Sequence, residues 1–160
     1  MFAKTVSSLL LLGSLASAHF TIEYPEMRGD SFADGASQWI YPCSPPFFHF
    51  IISTLISVGA NVNHTAQTNR TLWPLTGGSI STDLHHPWTY LFVNLGLGTT
   101  PPSFNISLTR NLLNVTGNGT FCLPQVTLPA GVSVSDGQNA SIQVVTVGQS
   151  GSALYNVCIL

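Results

Sequence analysis

The rhythm of the second half of this chain limits its fold most. From Trp88 onward, short runs of β-branched and aromatic residues alternate with turn signals: WTYLFVNL, then Gly96-Leu97-Gly98 and Pro101-Pro102, then FNISL, then Gly117-Asn118-Gly119, then TFCLPQVTL. The stretch ASIQVVTV, from Ala140 to Val147, follows a further turn at Ser135-Asp136-Gly137. Val, Ile, Thr and aromatic residues suit a pleated surface, whereas Gly, Pro and Asn suit the reversals between strands. No segment of useful length repeats its apolar residues at a helical period. These features predict an all-β fold, a β-sandwich of two small sheets around one core. No repeat or linker divides it.

The first 18 residues, MFAKTVSSLLLLGSLASA, have one Lys near the start, an apolar stretch at Leu9–Leu12 and the small-x-small pattern Ala16-Ser17-Ala18. That is a signal peptide, cut between Ala18 and His19, because its apolar part is far shorter than the ~20 residues that span a bilayer. Residues 19–160 remain as one domain. They carry Arg28, Arg70 and Arg110 against Glu23, Glu26, Asp30, Asp34, Asp83 and Asp136, a net charge of −3 with histidine neutral. Three scattered arginines cannot track a phosphate backbone, so nucleic acid is excluded as a partner, and an anionic membrane surface is disfavoured for the same reason. Although 44% of the residues are hydrophobic, Ser, Thr and Asn interrupt nearly every apolar run.

Six Asn-x-Ser/Thr glycosylation acceptors, at Asn63, Asn69, Asn105, Asn114, Asn118 and Asn139, agree with passage through the secretory pathway to an extracellular location. Cys43, Cys122 and Cys158 would there meet an oxidising environment, and a disulfide is expected between two of them. One segment stands apart. Phe47 to Val58 is the most apolar window after the signal and has no charged side chain. Residues 44–60 therefore read as an anomalous apolar insertion, which as ordinary structure would be a buried strand.

Cleavage after Ala18 would make His19 the first residue, with two nitrogen donors: its α-amine and its imidazole. Together they close a chelate ring, and a second imidazole supplies a third nitrogen in the same plane. That tetragonal arrangement suits Cu(II), which also heads the affinity order of the divalent first-row metals. A lone histidine is more often a surface residue, so the surrounding sequence has to carry the argument.

That sequence comprises HFTIEYPEMRGDSF at the mature start, NRTLWPLTGGSIS from Asn69 to Ser81, FCLP from Phe121 to Pro124, LPAGVSVSDGQNASIQVV from Leu128 to Val145, and ALYN from Ala153 to Asn156. Together, in this order, these stretches resemble the fungal copper acquisition factors, the Bim1-like or X325 proteins related to lytic polysaccharide monooxygenases. The resemblance implies a small immunoglobulin-like or fibronectin-III-like β-sandwich holding one copper through the N-terminal His, a second His and an Asp. The first maps onto His19. The second, a set distance after Gly77-Gly78, maps onto His86, with His85 as the alternative. His49 and His64 are read as non-ligands.

The chain departs from the family at its end. Where the family's last strand continues with Cys-Ala-Asp-Ile, this chain reads Val157-Cys158-Ile159-Leu160, so the Asp is missing and the C-terminus reads as truncated. Asp83 and Asp136 are the acids left near the motifs, although a turn Asp such as Asp136 is more often a local backbone cap. One cause would account for both this ending and the 44–60 insertion: translated intron sequence, Val-Cys being encodable as GTATGT. Uninterrupted transcript reads through both segments would refute it. The lost tail would have carried the Asp, a closing strand and a glycolipid-anchor signal.

Three functions follow as expectations. The first is copper capture at the fungal surface without turnover, with a membrane copper importer or a cell-wall glycan as partner. The second is an oxidative polysaccharide-cleaving enzyme using Trp39, Tyr41, Trp73, Trp88 and Tyr90 as a glycan platform, against which stands the habit of sandwich aromatics to lie in the core. The third is a structural wall glycoprotein in which His19 is incidental.

Overall fold

The structure is a computed structural model and describes residues 19–34, 36–41, 70–98, 103–148 and 151–160. Among them are eight strands: β1 (Phe20–Tyr24), β2 (Gly78–Leu84), β3 (Trp88–Leu97), β4 (Ile106–Ser107), β5 (Leu113–Thr116), β6 (Gly119–Val126), β7 (Ala140–Val147) and β8 (Ala153–Ile159). No helix occurs among the described residues. The apolar segment 44–60, Cys43, His49, His64, Asn63, Asn69 and the signal peptide lie outside them.

The strands form two antiparallel sheets. The smaller has the order β1-β2-β6, and the larger runs β4-β3-β7-β8 with β5 also paired to β3. This is the all-β sandwich expected from the strand-and-turn rhythm, in an immunoglobulin-like arrangement. The residue pattern explains why the sheets face each other. In β2, Ile80, Thr82 and Leu84 are buried while Ser79, Ser81 and Asp83 are not, and in β3 Thr89, Leu91, Val93 and Leu95 are buried while Tyr90 is exposed. A period of two puts one set of side chains on each face of a strand. Phe20, Ile22, Ile80 and Leu84 from the small sheet thus meet Leu91, Val93, Ile142, Val144 and Leu154 from the large one in a single core.

β7 departs from this alternation. Every residue from Ala140 to Thr146 is buried, so β7 lies at the centre of the large sheet with both faces covered. Pro124 is tolerated in β6 because that strand is an edge of the small sheet, where a missing N–H breaks no ladder. Gly77 takes a φ of +94°, and a Cβ there would run into the Val126 carbonyl, which accounts for the first glycine of the Gly77-Gly78 pair.

The tail that departs from the family pattern completes β8. Val157 faces Gln143 and Cys158 faces Ile142 across the β7–β8 ladder, and both are buried. The anticipated disulfide does not join Cys122 to Cys158. They are free thiols on different sheets, one exposed on β6 and one buried on β8.

Candidate metal centre

The β1–β2 ladder pairs Phe20 with Leu84 and runs one step further, where the His85 N–H donates to the His19 carbonyl at 3.2 Å. Backbone pairing alone therefore brings His19 beside His85 at one end of the small sheet. His85-His86-Pro87 then crosses to the large sheet, where Trp88 opens β3. His86 is only 4% exposed, packed where β7 ends. The fit is close, since a Cβ added to Gly148 would stand 3.4 Å from His86 Nδ1.

The three imidazoles differ in surroundings. His85 is exposed, and its Nε2 lies 2.9 Å from Asp83 Oδ2, so the carboxylate orients that ring. The Phe32 ring sits beside both neighbours, 5.5 Å from the His19 ring and 6.0 Å from that of His85. His86 Nε2 is buried with no hydrogen-bond partner. Burial lowers the His86 pKa first, and the nearby His85 and His19 lower it further. Its imidazole thus stays neutral, with a lone pair available, to lower pH than an ordinary histidine.

An orphaned nitrogen in a buried imidazole is a cost that a metal ion would remove, and a nitrogen donor set suits copper. By that measure the residues fit the group. Among the described residues no three His, Cys, Asp or Glu side chains already stand as a closed metal-binding set.

The structure separates the other candidates. Asp83 belongs to the histidine end through His85. Asp136 does not: it sits in the Ser135–Gln138 turn before β7, beside Arg70 and Leu128, at the far end of the sandwich. Trp39, Tyr41 and Tyr90 are exposed, while Trp73 stacks on Tyr24 at 6.3 Å and Trp88 meets Tyr90 edge-on at 5.4 Å. Asn105, Asn114, Asn118 and Asn139 are all exposed.

Sequence reasoning missed a buried polar group next to His19. Gln38 accepts from the Phe20 N–H at 3.2 Å and donates to the Phe20 carbonyl at 2.8 Å, which also accepts from Asn156 at 2.7 Å. Ser31 Oγ accepts from Gln38 at 2.8 Å and from Asn156 at 3.2 Å. A signal for Asn156 does exist: on β8 it falls between Leu154 and Cys158 on one face, where a polar side chain must find partners.

Similarity to known proteins agrees with this geometry. A family model described as copper acquisition factor BIM1-like matches residues 17–159. The chain is 37% identical to a lytic polysaccharide monooxygenase-like protein, ham-7, of Neurospora crassa, over 94% of this chain and 67% of that protein. It is 33% identical to the lytic polysaccharide monooxygenase-like protein X325 of Aspergillus fumigatus (92% and 67%) and 36% identical to the X325 protein of Hypocrea jecorina (92% and 64%). It thus spans about two thirds of the length of these relatives. With the sandwich, the paired histidines and this family match along nearly its whole length, the chain belongs to the copper acquisition factor BIM1-like family.

Proposed function

We propose that this protein binds Cu(II) outside the cell, in copper acquisition or homeostasis at a fungal cell surface. The residues that would hold the ion are His19, through its α-amine and imidazole, and His86, with His85 as the alternative second imidazole. The observation that carries the reading is the buried, unpartnered Nε2 of His86 in the same cluster as His19. Bound copper would supply a Lewis-acidic centre, and the protein's own part is to present neutral nitrogen donors to it. His86 meets that need through burial, and Asp83 orients His85. In the 160-residue chain the His19 nitrogen is a peptide N–H, so the chelate requires cleavage after Ala18. The amine must also lose a proton to bind, and affinity is expected to fall in acid.

The test is a Cu(II) titration followed by electron paramagnetic resonance on protein whose first residue is confirmed as His19, beside a version with one extra residue before it. One tight, nitrogen-rich site present only with the free amine is the expected result. Equal, weak binding by both would refute the reading.

A second reading, oxidative cleavage of polysaccharide, draws on the exposed aromatic side chains Trp39 and Tyr41 and on the names of the relatives. Oxidised oligosaccharides formed with copper and a reductant would establish it, and none are expected if the protein only carries the metal.

A further inference from the structure

We propose that Gln38, Ser31 and Asn156 are positioning residues for the His19 ligand, acting through the Phe20 peptide. The inference rests on the copper reading above. In β1 the N–H and C=O of Phe20 are taken by side chains rather than by β2: Gln38 binds both, and Asn156 adds a second donor to the carbonyl. Ser31 Oγ joins the two amides. All three side chains are buried, at 0% exposure for Gln38, 2% for Asn156 and 3% for Ser31. Gln38 is itself fixed, because its carbonyl accepts from the Tyr155 N–H at 2.9 Å. The network thus ties Ser31, Gln38 and strand β8 to the two peptide groups that flank Phe20, the first of which joins it to His19.

The location matters for a chemical reason. A ligand side chain can adjust its rotamer to reach a metal, but a chelate that uses the α-amine makes the backbone nitrogen itself a ligand, and only the backbone path can aim it. Phe20 is wholly buried, and its peptide is held from two directions, so the His19 Cα has a fixed point of departure. A polar network in this position also costs desolvation that apolar packing would avoid, and full satisfaction of its members offsets that cost.

The experiment compares secreted protein starting at His19 with Gln38→Met and Asn156→Leu, which keep volume but lose the hydrogen bonds, and with the milder Ser31→Ala in case either fails to fold. Val93→Ala, in the core two strands across the large sheet from Asn156, controls for lost stability. Cu(II) affinity and electron paramagnetic resonance spectra are measured, together with hydrogen exchange at the Phe20 amide in metal-free protein. The network variants are expected to bind about 10- to 100-fold more weakly, to give a mixture of copper species and to exchange the Phe20 amide faster. Val93→Ala should lose thermal stability yet keep the parent affinity and spectrum.

Folded network variants with parent affinity and spectrum would overturn the proposal while leaving the copper reading intact. So would a Val93→Ala protein that loses as much affinity as they do. A parent protein with no nitrogen-rich site would overturn the copper reading, and this proposal with it.

Discussion

At one end of the sandwich the β2–β3 connection brings His85 and His86 to His19, beside a buried network of amides and a hydroxyl. At the other end, where Leu97 pairs with Ala140, the sheets part around a cavity of about 410 Å³ lined by Trp73, Leu97, Leu128 and Leu160, with Arg70 and Asp136 at its rim. The strands between the two ends are the same, and the core runs through both. What separates the ends is how polar groups are treated. The histidine end holds Gln38, Ser31 and Asn156 in mutual hydrogen bonds and leaves His86 Nε2 unpartnered, whereas the cavity end is lined mostly by apolar side chains and keeps Asp136 exposed. An unpartnered imidazole nitrogen beside two further histidines supports a metal there, and a mostly apolar hollow creates no such demand.

The comparison breaks most easily at Phe20. Phe20→Ala removes a fully buried ring next to the network and is expected to cost about 3–5 kcal/mol of stability in urea unfolding. Leu97→Ala, at the half-buried cavity wall, should cost clearly less. A metal titration sharpens the contrast next: His86→Ala should weaken Cu(II) binding by at least ~100-fold, about 2.8 kcal/mol, and Leu97→Ala should leave it unchanged.

Acid should affect the ends unequally. The folded protein holds His86 below its ordinary pKa, so the unfolded chain takes up the proton first. Metal-free protein should therefore lose stability as pH falls below the ordinary value of 6.5, and His86→Ala should remove that contribution. Urea midpoints measured across this range give the answer, and an identical acid slope in parent and variant would refute the assignment.

The smallest effect concerns the two thiols. Burial pushes Cys158 up to about 12, so native protein should resist alkylation there while exposed Cys122 reacts, as peptide mass mapping would show. Because the folded pKa is raised, the associated stability is present below pH 9 and is lost as pH climbs from 9 toward about 12.

The strands most readily seen in the sequence were those whose context is local. WTYLFVNL and ASIQVVTV became β3 and β7 because β-branched runs bounded by Gly and Asn carry their own signal. β5 is only four residues long and β1 is held largely by distant partners, so neither announced itself. The histidines were legible as donors through the cleavage pattern and the family resemblance. Their meeting was implied by the resemblance alone, because in the residues themselves it depends on the register of β1 against β2. Gln38 was invisible for another reason: its partner is a backbone peptide, which leaves no trace in side-chain pattern.

The short strands β4 and β5 cover β3 from one side, and β6 borders the smaller sheet, so among the described residues all three are edge strands. Such borders invite a second chain to add as a further strand and begin an aggregate. Asn105 lies directly before β4, Asn114 within β5 and Asn118 directly before β6, each exposed and each heading an Asn-x-Ser/Thr sequence. Sugar carried at these positions would act as a bumper along the open borders. Protein made without it would then be the more prone to self-association, although its fold and its histidines would be the same.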